Sequence, residues 1–357
     1  MTPDRRVPTL ATVAAGPQRS YECEPAPGDR KLPGPPISAR AGSTRDAPAS
    51  RRQRGMTMSA IETILTTDVS RRAMLKGVGA GAAALALGRT GRVGATTSTA
   101  IGKGFTHVVG GDGGLLFYNS KTGKGRSGIL DGNGFQLVQE YGDFSTWTHV
   151  VGTQNGSILF FDKSTGLGAA GTLSGGEWSY LNLYEGFNTG WTHLAGTDDS
   201  IILYDARSGQ GAAGTLIDGV WNYLNLYPDF SRGYTHIAGT ADSLIFYNNS
   251  TGLGAAGTLI DGAWSYLNAY PDFSLDYSLL VGSSDSLLLL EKGSGFGAGG
   301  TLEDGAWEWI SQYGDFAEWT HVAGAGNDFV LFYNAKTGLA AYGTLSGGAW
   351  EMYGTQK

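Results

Sequence analysis

Four short apolar runs recur in a fixed order along the chain, each bounded by glycine, aspartate, asparagine or serine. In one copy they read WTHLAG from Trp191, SIILYDARSG from Ser200, GAAGTLIDG from Gly211 and WNYLNLYPDF from Trp221. Apolar runs of this length that end at turn-forming residues are typical of β-strands. The pattern therefore predicts four antiparallel strands in each copy.

The repeat length identifies the architecture. A hydroxyl residue stands at the same place in the first run of every copy, and the steps between these residues are 42, 44, 43, 43 and 42 positions. A four-stranded unit with a period in the low forties is typical of a β-propeller blade. We expect an all-β propeller of six four-stranded blades; a solenoid is the alternative, but it needs polar capping repeats. The hydroxyl residues are Thr106, Thr148, Thr192, Thr235, Ser278 and Thr320.

The turns and packing residues follow the same repeat. Because the first run is short and rich in small residues, we expect it to be the innermost strand. The longer turn after the second run ends in a glycine that suits the left-handed conformation. Aspartate or asparagine in the turn before the second run tolerates the positive φ of a tight hairpin. These turn residues are Asp112, Asn155, Asp199, Asp242, Asp285 and Asn327. The expected packing residues after the fourth run are Phe144, Phe187, Phe230, Phe273 and Phe316.

Ring closure is the one feature of the fold that the repeat leaves open. Propellers usually close when one blade takes strands from both ends of the chain. The last unit ends in AWEMYGTQK, from Ala349 to Lys357. We expect this strand to meet the FTHVVG strand that begins at Phe105, and which strand completes the ring stays open.

The first hundred residues differ from the repeats. Residues 1–55 contain scattered proline and arginine and the single cysteine, and we interpret them as disordered or as upstream sequence translated in error, with Met56 or Met58 as the start. Residues 56–95 carry SRRAMLKG, from Ser70, before a short apolar run and a small-residue stretch, which predicts a twin-arginine signal peptide. The run is too short for a membrane anchor. Residues 96–357 would then form the exported propeller, without any cysteine.

Charge narrows the classes of partner. From Thr96 onward the chain has 10 Lys+Arg and 25 Asp+Glu, a formal charge near −15. Nucleic acid and anionic membranes attract cationic proteins, so neither is an expected partner. An uncharged ligand such as a glycan fits better.

All five histidines follow a threonine in the first run, and this placement has two interpretations. As buried hydrogen-bonding residues they would tie one blade to the next. As ligand-binding residues they would form one site in each blade. A metal shared around the ring is disfavoured, because one histidine per blade leaves neighbours too far apart for tetrahedral coordination. The five residues are His107, His149, His193, His236 and His321.

Unit five lacks two features together. It has Leu279 in place of the histidine, and Leu290-Glu291 where the other units end the second run with an aromatic residue and then Asp or Asn. The joint loss indicates either a binding site lost in one blade or a contact pair that fails together. The candidate ligand-binding residues therefore also include Tyr118, Asn119, Phe161, Asp162, Tyr204, Asp205, Tyr247, Asn248, Tyr333 and Asn334.

No catalytic motif accompanies the repeats. The sequence from Thr96 onward contains neither HExxH nor a phosphate-binding loop, and no Ser-His-Asp set stands apart from the repeat. A single reaction needs unlike groups in one place, whereas near-equal units favour several equal, weak sites that act by avidity. We expect no enzyme activity and no cofactor.

The repeats, with LLFYN before the longer turn, the W-x-Y-L-N-x-Y segment and the YPDFS junction before YTH, resemble the tachylectin-type β-propeller lectins. The resemblance covers about 257 residues, and the units here are shorter. It implies sites between adjacent blades that hold N-acetylated amino sugars. The first hypothesis is thus a secreted, monomeric, non-enzymatic glycan-binding propeller. The second hypothesis is an extracellular scaffold for proteins or peptides. The third is a propeller hydrolase or lyase that uses the central funnel.

Overall fold

The computed structural model describes residues 101–316 and 319–357, and every regular element in them is a β-strand. The strands form six antiparallel sheets of four, each built from one continuous stretch of chain. The predicted all-β propeller of six four-stranded blades is confirmed. Blades 1 to 3 comprise β1 (His107–Gly111), β2 (Gly114–Tyr118), β3 (Gly125–Asp131), β4 (Gly134–Tyr141), β5 (His149–Gly152), β6 (Ser157–Asp162), β7 (Leu167–Ser174), β8 (Glu177–Tyr184), β9 (His193–Gly196), β10 (Ser200–Asp205), β11 (Gln210–Ile217) and β12 (Val220–Tyr227). Blades 4 to 6 comprise β13 (His236–Gly239), β14 (Ser243–Tyr247), β15 (Gly254–Ile260), β16 (Ala263–Tyr270), β17 (Leu279–Gly282), β18 (Ser286–Leu290), β19 (Gly297–Glu303), β20 (Ala306–Tyr313), β21 (His321–Gly324), β22 (Phe329–Tyr333), β23 (Ala340–Ser346) and β24 (Ala349–Gln356).

The core lies between the blades. The second strand of each blade is a continuous apolar run, and in β10 every residue is buried. Such a strand is flanked by two strands of its own sheet and covered on both faces by neighbouring blades, so its sequence does not alternate. The phenylalanines predicted after the fourth runs pack against the clusters between blades.

The innermost strands approach one another closely because each carries a glycine. A Cβ atom built on any of these glycines would lie less than 3.0 Å from the carbonyl oxygen of the equivalent glycine in the preceding blade. Real Cβ atoms essentially never come that close, so the position requires glycine. The inner glycine ring consists of Gly110, Gly152, Gly196, Gly239, Gly282 and Gly324.

The longer turns after the second strands agree with the predictions, whereas most of the short turns before the second strands do not. All six glycines of the longer turns have positive φ, as Gly209 does at 76°. Of the six predicted Asp and Asn residues only Asp112 has positive φ; the other five are Asn155, Asp199, Asp242, Asp285 and Asn327. In the three aspartates among these five, the carboxylate accepts a hydrogen bond from the hydroxyl of the next residue, at 2.5 Å in Asp199, and this bond helps to hold the turn.

Each outermost strand contains a β-bulge. In β8, Tyr180 and Asn182 pair with consecutive residues of β7, so Leu181 is the extra residue. The bulge changes which neighbour the side chains face. At the far end of each of the first five outer strands, a tyrosine hydroxyl accepts a hydrogen bond from the next blade's outer strand, as Tyr227 Oη does from Trp264 N at 2.7 Å.

Ring closure differs from the expectation. The last strand, β24, pairs with β23, and the FTHVVG strand, β1, pairs with β2, so the described residues contain no blade shared between the chain ends. The seam is held by side chains instead. Gln356 occupies the tyrosine position, and its side chain exchanges two hydrogen bonds with the backbone of Phe135, at 2.7 and 3.2 Å. Tyr333 of blade 6 also donates to Gly102 O at 3.1 Å.

The predicted upstream segment and signal peptide, residues 1–55 and 56–95, lie outside the described residues. Among those that are described, no helix is long and apolar enough to cross a membrane.

Candidate functional site: the clefts between blades

The structure places all five histidines at the start of innermost strands, where they connect neighbouring blades. His193 Nε2 lies 3.0 Å from Thr235 O of the next blade, and His321 Nε2 lies 3.0 Å from Thr106 O across the seam. His107 and His149 make the same contact at 3.3 and 3.2 Å. For His236 the corresponding partner is the backbone of Ser278 in the next blade, which acts to raise the pKa of the histidine. We call these contacts the histidine bridges.

The hydrogen bonds fix the tautomer of each histidine. A carbonyl oxygen only accepts, so Nε2 must carry the proton in a bridge. In the neutral ring, Nδ1 is then an acceptor, and the threonine hydroxyl before it shares its proton between that nitrogen and a carbonyl oxygen, as Thr192 Oγ1 does between His193 Nδ1 at 2.8 Å and Tyr204 O at 3.1 Å. Burial lowers the pKa of all five histidines. The bridges are therefore made by neutral imidazoles near pH 7.

The aromatic candidates on the second strands lie directly opposite the histidines. His193 and Tyr204 are cross-strand partners, with ring centroids 5.9 Å apart, and the other four histidines have the same partner position. Tyr118, Phe161, Tyr204, Tyr247 and Tyr333 are all 0% exposed. Each tyrosine hydroxyl donates to a backbone carbonyl, in Tyr204 to Ser231 O at 2.7 Å. These rings are packing residues that a ligand does not reach in this conformation.

The Asp and Asn candidates hold the longer turns. In each of these residues a side-chain oxygen accepts a hydrogen bond from the backbone N–H two positions later, an arrangement typical of Asx turns. The distances lie between 2.9 and 3.1 Å for Asn119, Asp162, Asp205, Asn248 and Asn334. The geometry thus favours the structural interpretation for the histidines, the aromatic residues and the turn residues alike.

The register explains why unit five lost two features together. Leu279 and Leu290 are cross-strand partners, at the positions that histidine and its aromatic partner occupy in the other blades. A histidine at 279 would face a leucine, and an aromatic residue at 290 would face a leucine too. Of the two alternatives, the contact pair that fails together agrees with this arrangement.

Two open clefts occur at equivalent places between blades. The cleft between blades 3 and 4, called the 3/4 cleft, has a volume of about 560 Å³, and the cleft between blades 4 and 5, called the 4/5 cleft, has a volume of about 260 Å³. Each lies between the end of one outer strand with the loop that follows it and the outer three strands of the next blade. The 3/4 cleft is lined by Tyr227, Pro228, Asp229, Phe230, Ser231, Tyr234, Phe246, Ala255, Trp264 and Tyr266. The 4/5 cleft is lined by Tyr270, Pro271, Asp272, Phe273, Ser274, Tyr277, Leu289, Ala298, Trp307 and Trp309.

The clefts combine an aromatic surface with a few polar groups. Tyr266 is 58% exposed and Trp309 is 59% exposed, which is unusual for large aromatic side chains on a strand. Asp229 and Asp272 are exposed on the opposite wall. This combination is typical of sites that hold small polar ligands with an apolar face.

Each cleft also contains a tyrosine hydroxyl in its loop. Burial raises the pKa of Tyr234 and of Tyr277, so both phenols stay protonated at neutral pH. The serine three residues earlier, Ser231 or Ser274, acts in the opposite direction on the pKa of each phenol, but burial is the larger cause. The phenols and serines can donate or accept, whereas the carboxylates only accept.

The other junctions vary in these residues. The position of Tyr266 and Trp309 is held by Tyr180 between blades 1 and 2 and by Tyr223 between blades 2 and 3. It is held by Met352 between blades 5 and 6 and by Leu137 at the seam, where Leu137 packs against the core. Both described clefts have Pro-Asp-Phe-Ser in the loop and a tyrosine three residues after the serine. The loop tyrosine is replaced by Trp147, Trp191, Trp319 and Phe105 at the remaining junctions. The junctions are thus alike in backbone and unlike in chemistry.

Sequence reasoning did not select the cleft residues. It treated W-x-Y as part of the repeat, and only the bulge shows that the second aromatic residue of this segment is exposed. The available signal was the change from tyrosine to tryptophan, methionine or leucine at one repeat position, which a purely structural role does not require.

No metal site is evident in residues 101–316 and 319–357, where no group of three or more histidine, cysteine, aspartate or glutamate side chains could hold an ion.

The comparisons with known proteins support no family assignment. No family model matches the chain, and no curated protein matches it. Among solved structures, similarity extends to a protein of unknown function from Desulfotomaculum acetoxidans, with 10% identity, TM-score 0.48 and coverage of 71% of this chain and 86% of that one. A Lactobacillus plantarum protein has 14% identity, TM-score 0.46 and coverage of 70% and 84%. Virginiamycin B lyase from Staphylococcus aureus has 14% identity, TM-score 0.43 and coverage of 71% and 83%. Likenesses this distant carry no argument about function.

Proposed function

We propose that the protein is a secreted, monomeric, non-enzymatic carbohydrate-binding propeller whose sites are the clefts between blades. The observation that carries the proposal is the recurrence of one open cleft at two equivalent junctions, with an exposed aromatic side chain facing a carboxylate and hydroxyl groups. The apolar face of a sugar ring stacks on an aromatic side chain, while its hydroxyls bond to carboxylates and phenols. N-acetylated amino sugars are among the candidate ligands.

Repetition of the cleft suits weak binding of a repeated ligand. A cleft of a few hundred Å³ that is open to solvent holds one or two sugar units with modest affinity. Two or more such clefts on a rigid ring convert the second contact into an intramolecular one, and the avidity can exceed either single affinity by about 10² or more. The proposed ligand is therefore a glycan presented in several copies.

The test compares variants of the exposed aromatic position. A glycan array identifies a ligand, and calorimetry then measures its binding to the unmodified chain, to Tyr266→Ala with Trp309→Ala, and to Met352→Ala. Met352 is 61% exposed at the equivalent place in a junction without the aromatic residue, so it is a matched control. We expect the double variant to lose most of the binding and the control to keep it. Full binding by the double variant, or no glycan bound by the unmodified chain, would contradict the proposal.

One observation favours the second candidate, a scaffold for extracellular peptides. Outer strands such as β12 present a free edge with exposed apolar side chains, among them Tyr223, Leu224 and Leu226. An exposed strand edge can accept an added peptide strand. The scaffold would be favoured if the unmodified chain recovers a defined protein from culture supernatant, the Leu224→Lys variant does not recover it, and the glycan array shows no binding.

A further inference from the structure

The charged residues that line the two clefts are all acidic. Asp229 and Asp272 are exposed, and no lysine or arginine lines either cleft. The ion pairs among the described residues are Arg126 with Glu140 and Arg207 with Asp205, which lie on blade 1 and on the longer turn of blade 3. A carboxylate in each cleft is thus available to a ligand.

The nearest basic side chain in the cleft loops is directed elsewhere. Arg232 follows Ser231, but its Nε atom donates to Ser208 O at 3.1 Å in the longer turn of its own blade. Its Cγ atom packs over Gly209 of that turn. The loop of the 4/5 cleft has Leu275 and Asp276 in place of Arg232 and Gly233.

The 4/5 cleft is therefore the more acidic of the two. Its loop carries Asp272 and Asp276 and no basic residue, whereas the loop of the 3/4 cleft carries one acid and one base. On the next blade Glu291 acts electrostatically on Tyr277 of this cleft, but Lys292 follows it and offsets its charge, so the difference between the clefts rests on Asp272 and Asp276. Since the chain from Thr96 onward is also strongly acidic overall, a cationic ligand is drawn toward both clefts and most strongly to the 4/5 cleft.

The aromatic walls add attraction for the same kind of ligand. A cation over the face of an aromatic ring is bound by the ring quadrupole, and tryptophan is the strongest partner, followed by tyrosine. The 4/5 cleft has two tryptophans, Trp307 and Trp309, where the 3/4 cleft has Trp264 and Tyr266. The aromatic residues and the carboxylates thus both predict stronger binding of a cation in the 4/5 cleft than in the 3/4 cleft.

We propose that the clefts select a hexosamine whose amino group is free and protonated, and that the 4/5 cleft binds it more tightly than the 3/4 cleft. This inference rests on the proposed carbohydrate-binding function and names its ligand class. An ammonium group supplies three donors to an acceptor-only carboxylate, whereas acetylation removes the charge and leaves an amide with one donor.

The experiment uses the full chain and three oligosaccharides of equal length: β-1,4-linked glucosamine, its fully N-acetylated form and a glucose oligomer without nitrogen. Calorimetry at a pH where the amine is protonated gives the affinities at low and at high salt. We expect the glucosamine oligomer to bind about tenfold more tightly than the other two at low salt, and the advantage to shrink as salt screens the charges.

Isosteric variants locate the contact. Asp272→Asn should weaken glucosamine binding about tenfold and Asp229→Asn should weaken it less, while the N-acetylated oligomer responds little to either. Asp315→Asn is the matched control, because Asp315 occupies the equivalent loop position at the junction between blades 5 and 6, which has Met352 in place of the aromatic residue, and it should leave binding unchanged. Polylysine serves as a probe for attraction by charge alone.

Three outcomes would overturn the inference. Equal or tighter binding of the N-acetylated oligomer, with Asp272→Asn unchanged, would do so while leaving the proposed function intact. Polylysine binding as tight as that of glucosamine, with Trp309→Ala unchanged for both, would show attraction by charge alone. No binding of any oligosaccharide, together with a blank glycan array, would remove the proposed function itself.

Discussion

The innermost strands and the outer clefts occupy the same six repeats but vary to different degrees. The inner glycine ring is complete, with six glycines in six blades, and five of six blades carry the histidine bridge. At the cleft, the exposed position is tyrosine in three blades and tryptophan, methionine or leucine in the others. The residues of the innermost strands repeat because every blade makes the same contacts with its neighbour. The cleft residues are not held by such contacts, so they can differ between blades and serve binding.

Blade 5 separates two kinds of inner contact. It has lost the histidine bridge at Leu279 but keeps Gly282. A lost hydrogen bond costs a limited amount of free energy, while a Cβ atom in the glycine ring collides with backbone that has nowhere to move. The steric requirement is therefore the stricter of the two.

The largest expected effect comes from breaking the glycine ring. Gly196→Ala places a Cβ atom less than 3.0 Å from Gly152 O and should destabilise the protein by about 3 kcal/mol or more, or prevent folding. Gly142→Ala is the control, because a Cβ there meets nothing within 4 Å. Chemical denaturation measures both. A Gly196→Ala variant as stable as the control would contradict the steric role of the ring.

The next effect comes from removing one histidine bridge. His193→Leu leaves Thr235 O without its donor and should cost about 1 to 3 kcal/mol of unfolding free energy. Leu279 occupies this position opposite Leu290, so the backbone accepts a leucine and the variant should fold, with part of the cost arising from the leucine opposite Tyr204. His236→Leu serves as a second copy. If either variant melts like the unmodified chain and binds less ligand, the histidines bind ligand rather than hold the blades together.

A smaller effect is expected from pH. Because burial lowers the pKa of the five histidines, the unfolded chain takes up protons below its ordinary histidine pKa of about 6.5 while the folded ring stays neutral. Stability is therefore complete above that pH and falls as pH decreases from 6.5 toward 5. Melting temperatures across this range measure the loss, and His193→Leu should show a shallower slope. A melting temperature that is constant from pH 7 to 5 would be inconsistent with buried neutral histidines.

The smallest effect on stability should come from the cleft. Trp309→Ala removes a side chain that is 59% exposed and should change the unfolding free energy by about 0.5 kcal/mol or less, although under the proposed function it should abolish binding in the 4/5 cleft. Denaturation measures the stability, and calorimetry the ligand binding, of this variant and of His193→Leu. We expect Trp309→Ala to lose mainly binding and His193→Leu to lose mainly stability. A stability loss at Trp309 as large as at His193 would show that the cleft aromatic is a packing residue.

The fold was predictable from the sequence and the clefts were not, for physical reasons. The period and the turn glycines, such as Gly209, act locally and are visible in one unit. The pairing of Leu279 with Leu290 depends on strand register, which the two losses suggest but do not specify. The exposure of Tyr266 depends on the bulge beside it in its own strand, where Leu267 is the extra residue. The closure by Gln356 depends on a contact between residues 221 positions apart.

The seam between blades 6 and 1 has a consequence for how such a ring is assembled and engineered. Within residues 101–316 and 319–357 each blade is one uninterrupted set of four consecutive strands, and no sheet takes strands from both ends of this part of the chain. Circular permutation at an inter-blade linker would therefore leave all six sheets intact, and the hydrogen bonds between Gln356 and Phe135 could still form at the old seam. By the same logic, tandem duplication of a single unit adds a whole blade, and rings of this kind can be built by gene duplication without first evolving a strand-swapped closure.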